Sequence, residues 1–567
     1  MHRVKTTSDR ALSVIHGVPL SEEPGLGALT LPAYLREVTD RHAEREALVM
    51  HHPDGSVERW SYRELWERSM DVARSLVACG VGKDTRVGVL MTNRPEWIAS
   101  FFGIGMTGAV AVALSTFSTP AELDYLLKAS CVSTLLFERR VLTKDFAGAL
   151  IELEPAITRS GAGTLASTKF PYLQRLVGLG VESSSGIERW PEFLNHGAGV
   201  ARAVVQARID SIESSDAGAL FFSSGSTGRP KGILNSHRGV AIQCWRWRRI
   251  LELGDDVRAW TANGFFWSGN FGAVLGAALS AGGSLVLQPT FEPVEALRLM
   301  QAERVTRPFA WPHQYEQLAA APNWSAVDLS SFRYADRRLR LGQHPTVSTT
   351  WAEPYECYGN TETFTISAAF PSNTPHEVAG GSHGVALPGN TIKIVDPLTG
   401  VTLSRGERGE IAVKGPTLML GYIGVPVEET FDSEGFFRTG DGGYIDARHR
   451  LVWEGRLNDI IKTGGANVSP AEVDDVLATY PGIKVNRTVG VPHDTLGEIV
   501  VACVVPQEGS RLEELAIREF LKSQLASYKV PRRVLFVHED ELALTGSAKV
   551  KLSALRELAM QQLGTSS

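Results

Sequence analysis

The sequence predicts an α/β protein of at least two domains: a large N-terminal domain of subdomains with parallel-type sheets and a small antiparallel β subdomain, then a small C-terminal α+β domain. Three observations predict this. At 567 residues the chain exceeds what one hydrophobic core supports. Residues 86–114 read strand, helix, strand, the rhythm of a parallel βαβ unit. Strands at 391–396 and 409–413 flank a Pro-Leu-Thr-Gly turn, and the residues after 457 alternate strand and helix.

Composition narrows the function classes. Apolar residues make up 43% and charged residues 21%, as in ordinary globular chains. A net charge of −6 argues against a general nucleic-acid binder. Cys79, Cys131, Cys244, Cys357 and Cys503 are widely spaced, without a CxxC pair, which suits a reducing, cytoplasmic setting and no structural zinc. The start, MHRVKTTSDRALSVIHG, lacks a signal peptide's apolar core and cleavage site. The apolar run 97–114 is long enough for a membrane span, but its three glycines, Ser100 and Thr107 fit a buried helix turning into a buried strand.

Taken in order, residues 1–27 read as a loosely held lead-in, 31–43 as a helix and 46–50 as a strand. Pro53, Asp54 and Gly55 make a turn, with His51 and His52 facing solvent rather than a metal. Ser61 caps a helix, and Glu64 completes a capping box. Gly103, Gly105 and Gly108 spell GxGxxG, but they follow a helix rather than a strand, so close helix packing explains them better than a dinucleotide. Thr119 or a neighbour caps the next helix. Residues 217–222 form a short buried strand that delivers a loop from a sheet edge.

That loop, SSGSTGRPKG at 223–232, holds three glycines, four hydroxyls and two cations, a donor set suited to a polyphosphate. The Walker pattern does not fit, because Pro230 stands where its second glycine belongs. A Gly/Ser linker is the competing reading, and the apolar strand directly before it speaks against that. Further on, Arg246, Arg248 and Arg249 interleave with Trp245 and Trp247. A solvated helix face snorkelling over the core is the preferred reading; nucleic-acid stacking and contact with the phosphates of a nucleotide-bearing thiol are the others. Phe265, Phe266 and Trp267 then read as core packing or as a pocket wall. Alone, Tyr-Gly-Asn-Thr-Glu at 358–362 and Arg-Thr-Gly-Asp at 438–441 would be structural turns.

The loop SSGSTGRPKG resembles the phosphate-loop signature of the adenylate-forming superfamily: acyl-CoA synthetases, adenylation domains and firefly-type luciferases. With YGNTE and RTGD following in order, the resemblance covers nearly the whole chain. It implies a domain of residues 1–457 for ATP and acid, and a mobile lid of residues 458–567 hinged at Asn458. It implies nucleotide binding by Ser223, Ser224, Gly225, Ser226, Thr227, Gly228 and Lys231. Tyr358 and Gly359 would meet adenine, Thr361 phosphate, Glu362 Mg²⁺, and Asp441 and Arg456 the ribose or phosphate. A carboxylate's two acceptors suit a vicinal diol, and a hard cation suits a carboxylate shared with phosphates. Lys549 resembles the catalytic lysine, acting with Glu362 and Thr361. Phe266, Trp267, Ser268 and Gly269 would line an acyl pocket, while Gly464 and Gly465 resemble the loop that comes over the site for thioester formation.

Three departures accompany the resemblance. Ala335, Asp336, Arg337 and Arg338 stand where many relatives place a Gly-Gly-Ala-Pro-like turn against adenine. Ala548 precedes Lys549 where glycine is usual, and Asn458 stands where Asp or Lys is commoner. No acidic residue occurs between Gly264 and Gly276, which disfavours a free α-amino acid as substrate. The implied reaction joins a hydrophobic carboxylic acid to ATP, giving an acyl-adenylate, and then to CoA as a thioester, with no tightly bound organic cofactor. The alternatives are transfer to a carrier-protein phosphopantetheine, adenylation alone, and a non-catalytic nucleotide-binding homologue.

Overall fold

The βαβ rhythm at 86–114 becomes the middle of the largest sheet in the computed structural model, which describes residues 11–182, 186–224, 230–457, 461–468, 470–538, 541 and 552–564. Strand Arg86–Leu90 lies between Val110–Ala113 and Thr134–Glu138, all parallel, and the sheet continues through Arg175–Leu179 to Ile187–Arg189. On the other side Ala217–Ser224 is parallel to Val110–Ala113, and Pro230–Ser236 and Gly421–Tyr422 close the edge antiparallel. A second sheet holds Arg307–Phe309, Arg258–Thr261, Ser284–Leu287 and Glu46–His51 in parallel, with Val57–Ser61 antiparallel at its edge. Helices Tyr62–Ala78, Pro95–Met106 and His237–Ile250 join residues of both sheets in one core.

Local chemistry explains several of these elements. The Ser61 hydroxyl accepts from Glu64 N, and the Glu64 carboxylate accepts from Ser61 N, the expected capping box. Thr119 and Glu122 repeat it at helix Pro120–Ser130. A Cβ on Gly103 would sit 2.7 Å from the Ser69 carbonyl oxygen, so Gly103 serves helix packing, while Gly108, at φ 78°, lies in the turn after the helix. The apolar run is a buried helix followed by a buried strand, and no helix among the described residues is long and apolar enough to cross a membrane.

An antiparallel sheet follows, in the order Val14–His16, Thr391–Val395, Gly409–Lys414, Phe437–Ile445, Leu451–Arg456. The small C-terminal domain pairs Ile461–Thr463, Ala466–Val468, Gly497–Pro506 and Ile483–His493, with Arg533–Phe536 parallel to Gly497–Pro506. Helices Pro470–Leu477, Glu514–Gln524 and Leu552–Leu563 belong to it, and Pro470 opens the first of them as its chemistry suggests.

Three expectations are corrected. The lead-in is tied down: Val14–His16 adds to the antiparallel sheet, and Glu23 accepts both arms of a buried guanidinium. That guanidinium is Arg246, only 1% exposed, on a helix that also buries Trp245 and Trp247. Arg246 and the two indoles are therefore core rather than solvated face, while Arg249 stays exposed; the bidentate carboxylate is what lets the Arg246 cation enter the core. His51 is half-buried against Glu303 at 2.7 Å rather than facing water, and His52 pairs with Glu58 at 3.0 Å.

Candidate active site

Strands Ala217–Ser224 and Pro230–Ser236 run antiparallel, with Ser223 opposite Lys231 and Ser224 opposite Pro230. Gly225, Ser226, Thr227 and Gly228 lie outside the described residues, as do Asn458, Ala548 and Lys549. The Lys231 ammonium stands 4.8 Å from the centre of the Tyr422 ring, and the Tyr422 hydroxyl donates to Glu362 Oε1 at 2.8 Å. Backbone pairing of Gly421–Tyr422 with Ile233 and Leu234 sets this spacing, so a cation and a carboxylate from distant stretches meet around one phenol. Gly232 leaves room for the Ile423 side chain, which a Cβ would meet at 2.3 Å and have to displace.

Glu362 sits on the turn Thr361–Thr363, capped by Asn360, whose side-chain oxygen accepts from Thr363 N at 2.9 Å. The chain then passes through two left-handed residues, Phe364 at φ 41° and Thr365 at φ 93°. For a β-branched residue that is strained backbone, held by its surroundings. The holding groups lie on helix His237–Ile250: Gln243 donates to the carbonyls of Thr363 and Ile366 at 3.2 and 2.7 Å, and the Trp247 indole to Thr365 Oγ1 at 2.8 Å. Gly359 is equally constrained, because a Cβ would lie 1.8 Å from the Thr365 carbonyl oxygen.

Across the cleft the Tyr358 hydroxyl donates to Asp441 Oδ2 at 2.8 Å, and both residues are buried. Gly440 has φ 71°, which places Asp441 beside Tyr358 and calls for a residue without a Cβ. Arg456 stands opposite Asp441 in the neighbouring strand. Ser223, Lys231, Tyr358, Gly359, Thr361, Glu362 and Asp441 all border one cavity of about 900 Å³. Trp247, Thr365, Ser268 and Gly269 line the same cavity.

A second cavity of about 600 Å³ lies between the large domain and the small one. Phe266, Trp267 and Trp311 line it from the first, Gly464 and Tyr528 from the second. The Trp267 ring stands 6.3 Å from Trp311 and 5.9 Å from Tyr528, whose phenol is pushed up to about 12 by burial. Phe265 is core, packed 5.6 Å from Trp97. Ser268 and Gly269 part company with Phe266 and Trp267, correcting the expectation of one shared pocket. Phe266 lies in a turn, Trp267 is the N-cap and Ser268 starts a helix, so the two pairs border different cavities. A small void of about 50 Å³ is bordered by Ser223, which also borders the first cavity, and by Phe266, Trp267 and Tyr528, which also border the second.

Gly464 lines the second cavity, and it and the neighbouring Gly465 have φ of 57° and 82°. A Cβ on Gly465 would sit 2.7 Å from the Trp311 ring. This apposition brings in residues that the sequence reading did not assign. Lys462 borders the polar cavity with its ammonium 3.0 Å from the centre of the Trp453 ring, and Trp311 and Tyr528 wall the apolar one. Lys462 is marked only by its place beside the Gly-Gly pair, and Trp311 by nothing local. The segment 335–338 borders neither cavity. Asp336 instead accepts from Arg338 and from Glu353 N, and Arg338 stacks 4.2 Å from the centre of the Tyr355 ring.

Known proteins share this framework. A family profile described as AMP-binding enzyme matches residues 35–423, and one described as AMP-binding enzyme C-terminal domain matches 472–549. A feruloyl-CoA synthase from an Amycolatopsis species is 32% identical over 508 residues, covering 88% of this chain and 93% of its own. An indoleacetate–CoA ligase from Aromatoleum aromaticum is 30% identical, covering 93% of this chain and 98% of its own. Among solved structures, ATP-bound MatB from Rhodopseudomonas palustris aligns with a TM-score of 0.61 at 27% identity, over 95% of this chain and 100% of its own.

Proposed function

The chain belongs to the AMP-binding enzyme family, and on that premise we propose that it is an AMP-forming acid–thiol ligase. It joins a hydrophobic carboxylic acid to ATP and passes the acyl group to CoA. The observation that carries the reading is the single cavity in which a buried Tyr358–Asp441 pair faces Lys231 and Glu362. Adenosine fits the first pair and a polyphosphate the second.

In the first half-reaction a carboxylate oxygen attacks the α-phosphorus of ATP; the new O–P bond forms as the bond to pyrophosphate breaks. The chain's contribution is position and charge. Tyr358 and Gly359 lie against adenine, Asp441 accepts from the ribose hydroxyls, and Arg456 backs the ribose or phosphate. Ser223 to Lys231 hold the outer phosphates, Thr361 meets phosphate, and Lys549 offsets charge at the α-phosphate. Glu362, a carboxylate on the cavity wall beside the phosphate-loop strands, suits Mg²⁺, whose chemistry is to neutralise phosphate charge. The acid sits beside Trp247, Ser268 and Gly269, where none of those side chains is acidic, with Trp267 at the boundary.

In the second half-reaction the thiol sulfur attacks the acyl carbon, the C–S bond forms, AMP leaves with the electron pair and the thiol proton goes to solvent. The apolar cavity between the domains suits the pantetheine arm, with Trp267 on its wall. The two bodies are residues 1–457 and 458–567, articulated at Asn458. Five unbridged cysteines suit a reducing compartment such as the cytoplasm.

The test is a panel of hydrophobic acids in ATP–pyrophosphate exchange, followed by CoA consumption. Exchange with at least one such acid and stoichiometric loss of free thiol is expected. No exchange with any acid makes the chain a nucleotide-binding homologue; exchange without thiol loss transfers the second step to a carrier protein or removes it.

A further inference from the structure

The small domain touches the large one through more than its glycine loop. Lys529, 3% exposed, sends its ammonium to Glu472 Oε1 at 2.7 Å within the small domain and to Glu122 Oε1 at 3.0 Å in the large one. Glu122 Oε1 also accepts the Ala526 amide at 3.0 Å, and Thr119 donates its hydroxyl to the Gln524 carbonyl at 3.3 Å. The other Glu122 oxygen accepts Thr119 N at 2.9 Å, so the carboxylate is fixed by the N-terminus of its own helix before the small domain arrives. Burial alone would lower the Lys529 ammonium, but Tyr528, Glu472 and Glu122 outweigh it and hold it above the ordinary lysine range.

We infer that Glu122, Lys529 and Glu472 form an ionic latch that holds the small domain in the pose presenting Lys462 and Gly464 to the cavities, and that Glu122 and Lys529 are positioning residues for thioester formation rather than for adenylation. The inference rests on the two-step reading above. Lys529 directly follows Tyr528, whose ring packs on Trp267, so docking of the ammonium and closure of the apolar cavity are one event. Any rotation about the 458–460 junction carries Lys529 away from Glu122 while Glu472 travels with it. The latch thus keeps its internal pair and loses its cross-domain pair. Two carboxylates facing one ammonium also make the lysine indispensable in the closed pose, because its removal leaves like charges buried together. A state held by such a pair loses population when the pair is cut.

Glu122→Gln keeps an oxygen for the capping box and removes the charge. With pre-formed acyl-adenylate and CoA it should slow thioester formation about tenfold, and Lys529→Met about a hundredfold, from the usual loss on breaking a buried pair. ATP–pyrophosphate exchange should stay within about twofold of wild type, because the latch belongs to the other pose. The double variant should be no worse than Lys529→Met alone, as expected of residues acting through one contact. Equal loss in both half-reactions, or additive single effects, overturns the latch.

Hydrogen exchange at the Gly464 and Ala526 amides gives a readout that needs no activity. Lys529→Met should speed both while leaving the core of the large domain unchanged, and unchanged exchange there also overturns the inference. Should Lys529→Met fail to fold, Glu122→Gln carries the test alone on the split between half-reactions. A wild type that exchanges pyrophosphate but makes no thioester contradicts the proposed function, and the amide exchange then decides the latch by itself.

Discussion

The two cavities are built on opposite plans. The polar one takes its groups from short strings, each held by a glycine or a cap: Gly359 and Asn360 around Glu362, Gly440 before Asp441, Gly232 after Lys231. The apolar one is assembled from aromatics on separate segments, the Phe266–Trp267 pair and Trp311, and completed by Gly464 and Tyr528 of another domain. A phosphate or a diol needs several donors and acceptors within a few ångströms, which one tight turn can supply. An apolar arm needs area, which only packing between distant segments supplies. Under the proposed function, adenylation belongs to the first cavity and thioester formation to the second.

Three substitutions test that assignment, in descending size of effect. Glu362→Gln preserves shape and removes charge from the polar cavity. Exchange measured at limiting magnesium should fall by about two to three orders of magnitude, as for loss of one clamp on a transferring phosphoryl group. Unchanged exchange removes Glu362 from the phosphate site. Gly465→Leu attacks the other cavity, where φ is 82° and a Cβ would meet Trp311 at 2.7 Å. Thioester formation from pre-formed adenylate should drop by about two orders of magnitude while exchange changes by less than about threefold, the separation expected if the lid pose serves only one step. Parallel losses would merge the two cavities into one function. The smallest effect is expected from Trp267→Ala at their boundary. It should shift the kcat/KM ratio toward bulkier acids by about tenfold, the scale of a few methylenes in an apolar pocket. A ratio that stays constant across acid sizes places the wall elsewhere.

The same contrast governs how much was legible beforehand. Ser61 with Glu64 and the βαβ unit are local patterns, and the chain arranges them as their chemistry suggests; the strings around Glu362 and Asp441 are local too and border one cavity. Arg246 was misread because its carboxylate partner, Glu23, lies far off in a segment that looked unstructured. Ser268 and Gly269 were grouped with Trp267 by adjacency, which a change from extended to helical backbone overrules. Lys462, Trp311 and Tyr528 acquire meaning only when the small domain docks, and no spacing within a strand or helix encodes that meeting.

Residues 458–567 contain no tryptophan, yet that domain lays Tyr528 against Trp267, Gly465 against Trp311 and the Lys462 ammonium over Trp453. Indole emission responds to a neighbouring cation and to the polarity around the ring, and all three indoles sit where the small domain docks. On the proposed two-pose cycle, the unlabelled protein contains its own optical gauge of domain closure. Stopped-flow emission, followed as adenylate forms and again as CoA is added, would time the two poses without any dye or engineered cysteine.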